Sequence, residues 1–110
     1  MNEIEELAET FKALSDPTRL RLVTLLREQP RVECPGAECN GTGFLCVNAL
    51  AHRLGVTQSA VSQHLRVLRQ AGLVRGERRG PFVHYSLDAE GLVKNRTLLL
   101  ETLGEDSVIG

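Results

Sequence analysis

Cys34, Cys39 and Cys46 follow the spacing Cys-x4-Cys-x6-Cys in a stretch that also holds Pro30, Pro35, Gly36, Gly41 and Gly43. Thiolates are nucleophiles and soft metal ligands, and a glycine-rich loop bends readily enough to gather three of them round one small centre. Such a trigonal thiolate site suits As(III), and also Cd(II) or Pb(II), which prefer sulfur. Zn(II) would need a fourth ligand from water, Glu33, Glu38 or a partner chain, because His52 lies about 240° round the same helix from Cys46. The same thiols could instead form a disulfide or polysulfide bridge on oxidation. Cys46 taken alone could also be an inert buried residue on the apolar side of a helix. Three cysteines cannot all pair within one chain, and a reducing compartment disfavours structural disulfides.

A second set of side chains points to a different chemistry. Ser59, Ser62, Gln63 and Arg66 recur on one side of a helical segment headed by Gln58, which joins them as a candidate DNA contact, while Val61, Leu65 and Leu68 fall on the opposite side at about 100° per residue. Ser and Gln near a helix N-terminus can hydrogen-bond base edges in the major groove, Gln suiting adenine, and Arg66 would reach phosphate. The bland alternative is a solvated face, but such faces favour Glu and Lys over these short polar side chains. His64 falls beside the apolar stripe, as expected for a packing or hydrogen-bonding histidine. Arg75, Arg78 and Arg79 follow on a tightly turned hairpin, placed to neutralise phosphates or enter a minor groove. A charged tip kept for solubility would mix signs more evenly. The overall charge of −1 hides this footprint: residues 49–87 carry +5, and the segments on either side carry −3 each.

These side chains require a scaffold. Ile4, Leu7, Ala8, Phe11 and Leu14 predict a first amphipathic helix. A second follows, capped by Ser15 or Asp16, with Pro17 in its first turn and Leu20, Leu22, Val23, Leu25 and Leu26 making it apolar over most of its circumference. Residues 29–43 read as a loop, with room for a short strand at Arg31 to Cys34. Helical spacing resumes from Leu45 to Leu54 and stops at Gly55. Thr57 then caps a helix from Gln58 to Ala71 that ends at Gly72, and the short glycine turn between the two is that of a helix-turn-helix. After Gly72 the period becomes two, predicting a β-hairpin turned at Arg78-Arg79-Gly80-Pro81. A last helix runs from Asp88 to Leu103 with Leu92, Leu99, Leu100 and Leu103 on one side. The fold class is mainly α with a small β-hairpin: a winged helix-turn-helix of about five helices plus the wing.

At 110 residues, 42% apolar and 25% charged, residues 1–110 fit a single domain with one modest core, which invites pairing with a second copy. No apolar run is long enough to span a membrane, and the N-terminus is acidic where a signal peptide would be basic, so a cytoplasmic location is expected. An enzyme is disfavoured, because no Cys or Ser has a His and a carboxylate at a recognisable spacing. A winged helix used for protein contacts would keep the fold and would need neither the Ser/Gln stripe nor the arginine hairpin.

The string from Ala13 to Arg21 (ALSDPTRLR), then Gln58 to Leu65 (QSAVSQHL), Ala71 to Val74 (AGLV) and His84 to Leu87 (HYSL) resemble the ArsR/SmtB family in order and over nearly the whole chain. The resemblance implies a homodimeric winged-helix repressor, joined through its first and last helices. Such a repressor leaves a double-stranded DNA operator, expected to be palindromic, on meeting a metal, metalloid or other thiol-directed signal. In the family's best-known metal site two cysteines stand one residue apart. Cys46 matches the first, but Asn48 occupies the second position, so that site does not carry over intact. The family's zinc site between paired final helices has no counterpart either, since no histidine follows Asp88-Ala89-Glu90. The expected inducer is a soft metal or metalloid such as As(III), with thiol oxidation or polysulfide as the alternative.

Overall fold

A computed structural model describes residues 2–28 and 45–104 of the chain, and the side chains of Leu45, Arg79 and Phe82 are outside that description. The elements in order are α1 (Glu3–Leu14), α2 (Pro17–Glu28), β1 (Leu45–Cys46), α3 (Val47–Leu54), α4 (Gln58–Gln70), β2 (Val74–Arg79), β3 (Phe82–Leu87) and α5 (Ala89–Leu103). The loop expected at 29–43, with its strand at Arg31 to Cys34, lies outside the described residues. No helix among those described is long and apolar enough to cross a membrane.

Local chemistry sets the helix boundaries. Asn2 caps α1 by accepting from Glu5 N–H at 2.9 Å, and Glu3, Glu5 and Glu6 sit in the first turn, where the helix dipole favours anions. Asp16 caps α2 by accepting from the N–H groups of Thr18 and Arg19. Gly55, at φ 67°, ends α3 in the left-handed conformation that glycine adopts without a steric cost. Thr57 Oγ1 then accepts from Ala60 N–H to open α4, and Asp88 does the same for Gly91 N–H at the head of α5.

The core gathers Leu22 and Leu26 of α2, Leu50 of α3, Val61, Leu65 and Leu68 of α4, and Leu73 and Val74. The second helix is less enclosed than its composition predicts, for Leu20 is exposed while Leu22 and Leu26 are buried. α1 buries Leu7, Thr10 and Ala13 and leaves Ile4 and Phe11 at 64% and 51% exposure. α5 buries Leu98 and leaves Val93 and Leu103 at 61% and 60%. The expected stripe of Leu92, Leu99, Leu100 and Leu103 is therefore not the face of α5 that is most enclosed. Leu92, Leu99 and Leu100 of that stripe are half-buried, Leu92 against the core, and only its end at Leu103 stands in solvent.

One boundary differs from the sequence expectation. The helix predicted from Leu45 starts at Val47, because Leu45 and Cys46 are extended and pair antiparallel with Tyr85 and His84. The hairpin thereby becomes part of a three-stranded sheet in the order β1-β3-β2. Cys46, at φ −88° and ψ 167°, is the N-cap residue of α3 rather than a residue within it, and its side chain makes no capping bond.

α5 is seated directly against the turn that ends α4. Asp88 N–H donates to Leu73 carbonyl oxygen at 2.9 Å, Asn95 Nδ2 donates to Gly91 oxygen at 2.8 Å, and Thr10 Oγ1 of α1 donates to Asn95 Oδ1. A Cβ on Gly91 would collide with the carbonyl of Gly72, so only glycine allows this approach. Replacing Gly91 with Ala is expected to cost about 1–3 kcal/mol through forced backbone movement. A thermal melt of the purified variant checks it, and an unchanged midpoint would mean that α5 does not dock on Gly72.

Candidate nucleic-acid interface

α3, the turn at Gly55, and α4 form the helix-turn-helix, closed by Val56 N–H donating to Ala51 oxygen at 3.2 Å. With Val61, Leu65 and Leu68 buried, the opposite side of α4 must face solvent, and Gln58, Ser59, Ser62, Gln63 and Arg66 are all exposed. The stripe expected from the sequence is thus a continuous outward face. Its first residue has a partner: Gln58 Nε2 donates to Asn48 Oδ1 of α3 at 2.9 Å.

His64 lies at the border of that face and is half-buried. Its Nδ1 accepts from Arg19 Nε at 3.1 Å, and Arg19 Nη1 reaches back to the carbonyls of Lys12 and Ala13 at the end of α1. One arginine of α2 therefore ties α4 to α1, matching the hydrogen-bonding role expected for His64. Nearby, partial desolvation would raise the Asp16 carboxyl. The hydrogen bonds from Arg19 and Thr18 N–H, and then the electrostatic influence of the nearby His64 and Arg19 side chains, outweigh it and hold the group below its ordinary range.

Arg75 and Arg78 are exposed on β2. Three residues apart on a strand, they lie on opposite faces, so the hairpin presents positive charge on both sides rather than as one patch. Arg79 is the last residue of β2 and pairs with Phe82 across the turn. Arg69, not singled out from the sequence, is also exposed and lines a cleft of about 730 Å³ with Arg75, Gly76 and the Asp88–Glu90 segment. Its i, i+3 spacing from Arg66 was the signal available for it.

Of the three cysteines, Cys34 and Cys39 lie outside the described residues. Cys46 is disulfide-bonded and 3% exposed, packed among the core residues. Across the sheet its partner is the buried His84. The sequence reading missed this neighbour, because strand alternation placed His84 in the wing but nothing announced β1. His52 is exposed on α3. Among the described residues no group of three or more His, Cys, Asp or Glu side chains is placed to hold a metal ion.

Residues 40–75, which contain α3, the turn and α4, match the model of bacterial regulatory proteins of the arsR family. The uncharacterized HTH-type transcriptional regulator YbzH of Bacillus subtilis (strain 168) is 40% identical over 91 residues, covering 81% of this chain and 90% of that protein. The chain belongs to the ArsR family. A transcriptional repressor SmtB homolog of Synechocystis is also 40% identical, over 79% of this chain but only 55% of its own length, so this ArsR-family chain spans about half of that relative. Among solved structures, a possible transcriptional regulator for arsenical resistance is similar at a TM-score of 0.64 and 37% identity, covering 86% of this chain and 83% of that one. The homodimeric winged helix-turn-helix domain of Mb0332 from Mycobacterium bovis is similar at 0.63 and 25%, covering 94% and 81%. This ArsR-family chain is accordingly a winged helix-turn-helix transcriptional regulator, and its family is one of regulators rather than enzymes.

Proposed function

We propose that this regulator is a cytoplasmic, dimeric repressor that holds double-stranded operator DNA through α4 and the β2–β3 hairpin, and that releases it when the chemistry of Cys46 changes. The observation that carries the DNA reading is the outward face of α4, polar and exposed along its length while the opposite face is buried. Ser59, Ser62 and Gln63 would read base edges, with Gln58 at the head of the helix. Arg66, Arg69, Arg75, Arg78 and Arg79 would neutralise phosphates. Replacing Gln63 with Ala is expected to cost about 1–3 kcal/mol on the operator and little on random DNA, whereas Arg78→Ala should weaken both and flatten the salt dependence. Equal losses of the Gln63 variant on both DNAs would contradict base reading. Absence of any salt-sensitive DNA binding would favour a protein-interaction module instead.

Dimerisation is supported by the apolar side chains left outside the core, Ile4 and Phe11 on α1 and Val93 and Leu103 on α5, and by the homodimeric Mb0332 relative. Two α4 helices would then enter successive major grooves about 34–36 Å apart on a palindromic operator. Sedimentation at micromolar concentration is expected to give a dimer, and Phe11→Glu should shift it toward monomer.

For the signal, the disulfide at Cys46 favours thiol oxidation. Structural disulfides are disfavoured in a reducing compartment, so a bridge there reads as one that forms and breaks. Its formation takes two electrons and two protons from a pair of thiols, Cys46 and either Cys34 or Cys39, and delivers them to an oxidant such as diamide or a polysulfide. A soft metal or metalloid such as As(III), Cd(II) or Pb(II), or Zn(II) with a fourth ligand, held by the reduced thiols, is a second reading, supported by the similarity to a possible regulator for arsenical resistance. Operator affinity measured against arsenite, cadmium, zinc, diamide and polysulfide separates the two. The variant with Cys34, Cys39 and Cys46 all changed to Ser is expected to bind the operator and to ignore the inducer. A full response from that variant would remove the cysteines from the switch.

A further inference from the structure

We propose that Asn48 is the relay through which the state of Cys46 reaches the DNA-reading helix, by holding Gln58 away from DNA when Cys46 is oxidised. The inference rests on the thiol-switch reading above. Cys46 is the N-cap residue of α3, Asn48 stands two residues later in the first turn, and the Gln58 Nε2 to Asn48 Oδ1 bond of 2.9 Å crosses from α3 to the first residue of α4. Cys46, Asn48 and Gln58 also line one cleft of about 400 Å³ between α3 and the wing, together with Val83 and Tyr85.

The first residues of a recognition helix are the ones that meet base edges, and a glutamine reading adenine needs both its carbonyl oxygen and an N–H turned outward. Here the amide nitrogen is directed at α3 instead, in a structure whose Cys46 is disulfide-bonded. α3 begins on Cys46, whose backbone is held in β1 against His84, so the covalent state of Cys46 bears on where the first turn of α3, and Asn48 with it, is held. Reducing Cys46 lets the turn shift, the bond gives way, and Gln58 turns to the groove. One exposed hydrogen bond of this kind is worth a factor of about 2 to 10 in an equilibrium, which sets the size of the effect.

The test compares operator affinity of the full chain in dithiothreitol and after diamide, for the parent, Asn48→Ala, Asn48→Asp, Gln58→Ala and the double Asn48→Ala/Gln58→Ala variant. Asn48→Ala is expected to leave the reduced protein's affinity unchanged and to shrink the loss on oxidation by about 2- to 10-fold. Asn48→Asp retains an oxygen acceptor for Gln58 and should keep the parental response. Gln58→Ala should weaken the reduced protein and spare the oxidised one, and adding Asn48→Ala to it should change nothing further. An oxidation penalty in Asn48→Ala equal to the parent's overturns the relay while leaving the thiol switch standing. Equal losses in both redox states would make Asn48 a structural residue and overturn it too. A parent that ignores diamide overturns the redox switch itself, and the relay with it.

Discussion

Val61, Leu65 and Leu68 have almost no solvent exposure, and their burial fixes the rotation of α4 about its own axis. Turning the helix by one residue would drive Ser62 or Arg66 into a core made of leucine, valine and alanine, leaving polar groups without partners at a cost of a few kcal/mol each. Because that rotation is not negotiable, the set of side chains that α4 turns outward is settled by packing alone. The polar stripe needs no stabilising contact of its own.

Rotation alone does not aim a helix, and two attachments of α4 beyond the turn from α3 contribute to the remainder. Midway along, His64 is held by Arg19, whose other nitrogen engages the end of α1. At its C-terminus, the turn at Gly72 abuts Gly91 in the first turn of α5. Thr10 and Asn95 join α1 to α5, and Glu6 and Lys94 add an ion pair of 3.1 Å between them. α1 and α5, the helices that keep apolar side chains in solvent, thus form one frame with α4. Any partner docked on that frame inherits a fixed geometry relative to α4.

Much of this was legible in the sequence. Opposed stripes on α4, the cap Thr57, the glycine stops at Gly55 and Gly72 and the change of period after Gly72 each carry a local signal that survives into the fold. What was not legible depended on contacts between distant segments. β1 is a two-residue strand that exists because β3 has an edge to pair with, and two extended residues before a helix look like the helix itself. On α5 the spacing showed which leucines share a stripe, but not that Leu98 would be the most enclosed or that Leu103 would stand in solvent. The pairing of Gln58 with Asn48 likewise depends on how α3 crosses α4, which no periodicity records.

The three-stranded sheet has a consequence for how copies of this chain meet. A strand edge with unsatisfied backbone groups invites another chain to add to it. Here β3 is central, flanked on one side by β1, only two residues long, and on the other by β2, which carries Arg75, Glu77 and Arg78 in exposed positions. Along β2 the exposed charges would have to give up part of their hydration to admit another strand. Among the described residues the edge at β2 is thus guarded by charge, whereas α1 and α5 are where large apolar side chains meet solvent.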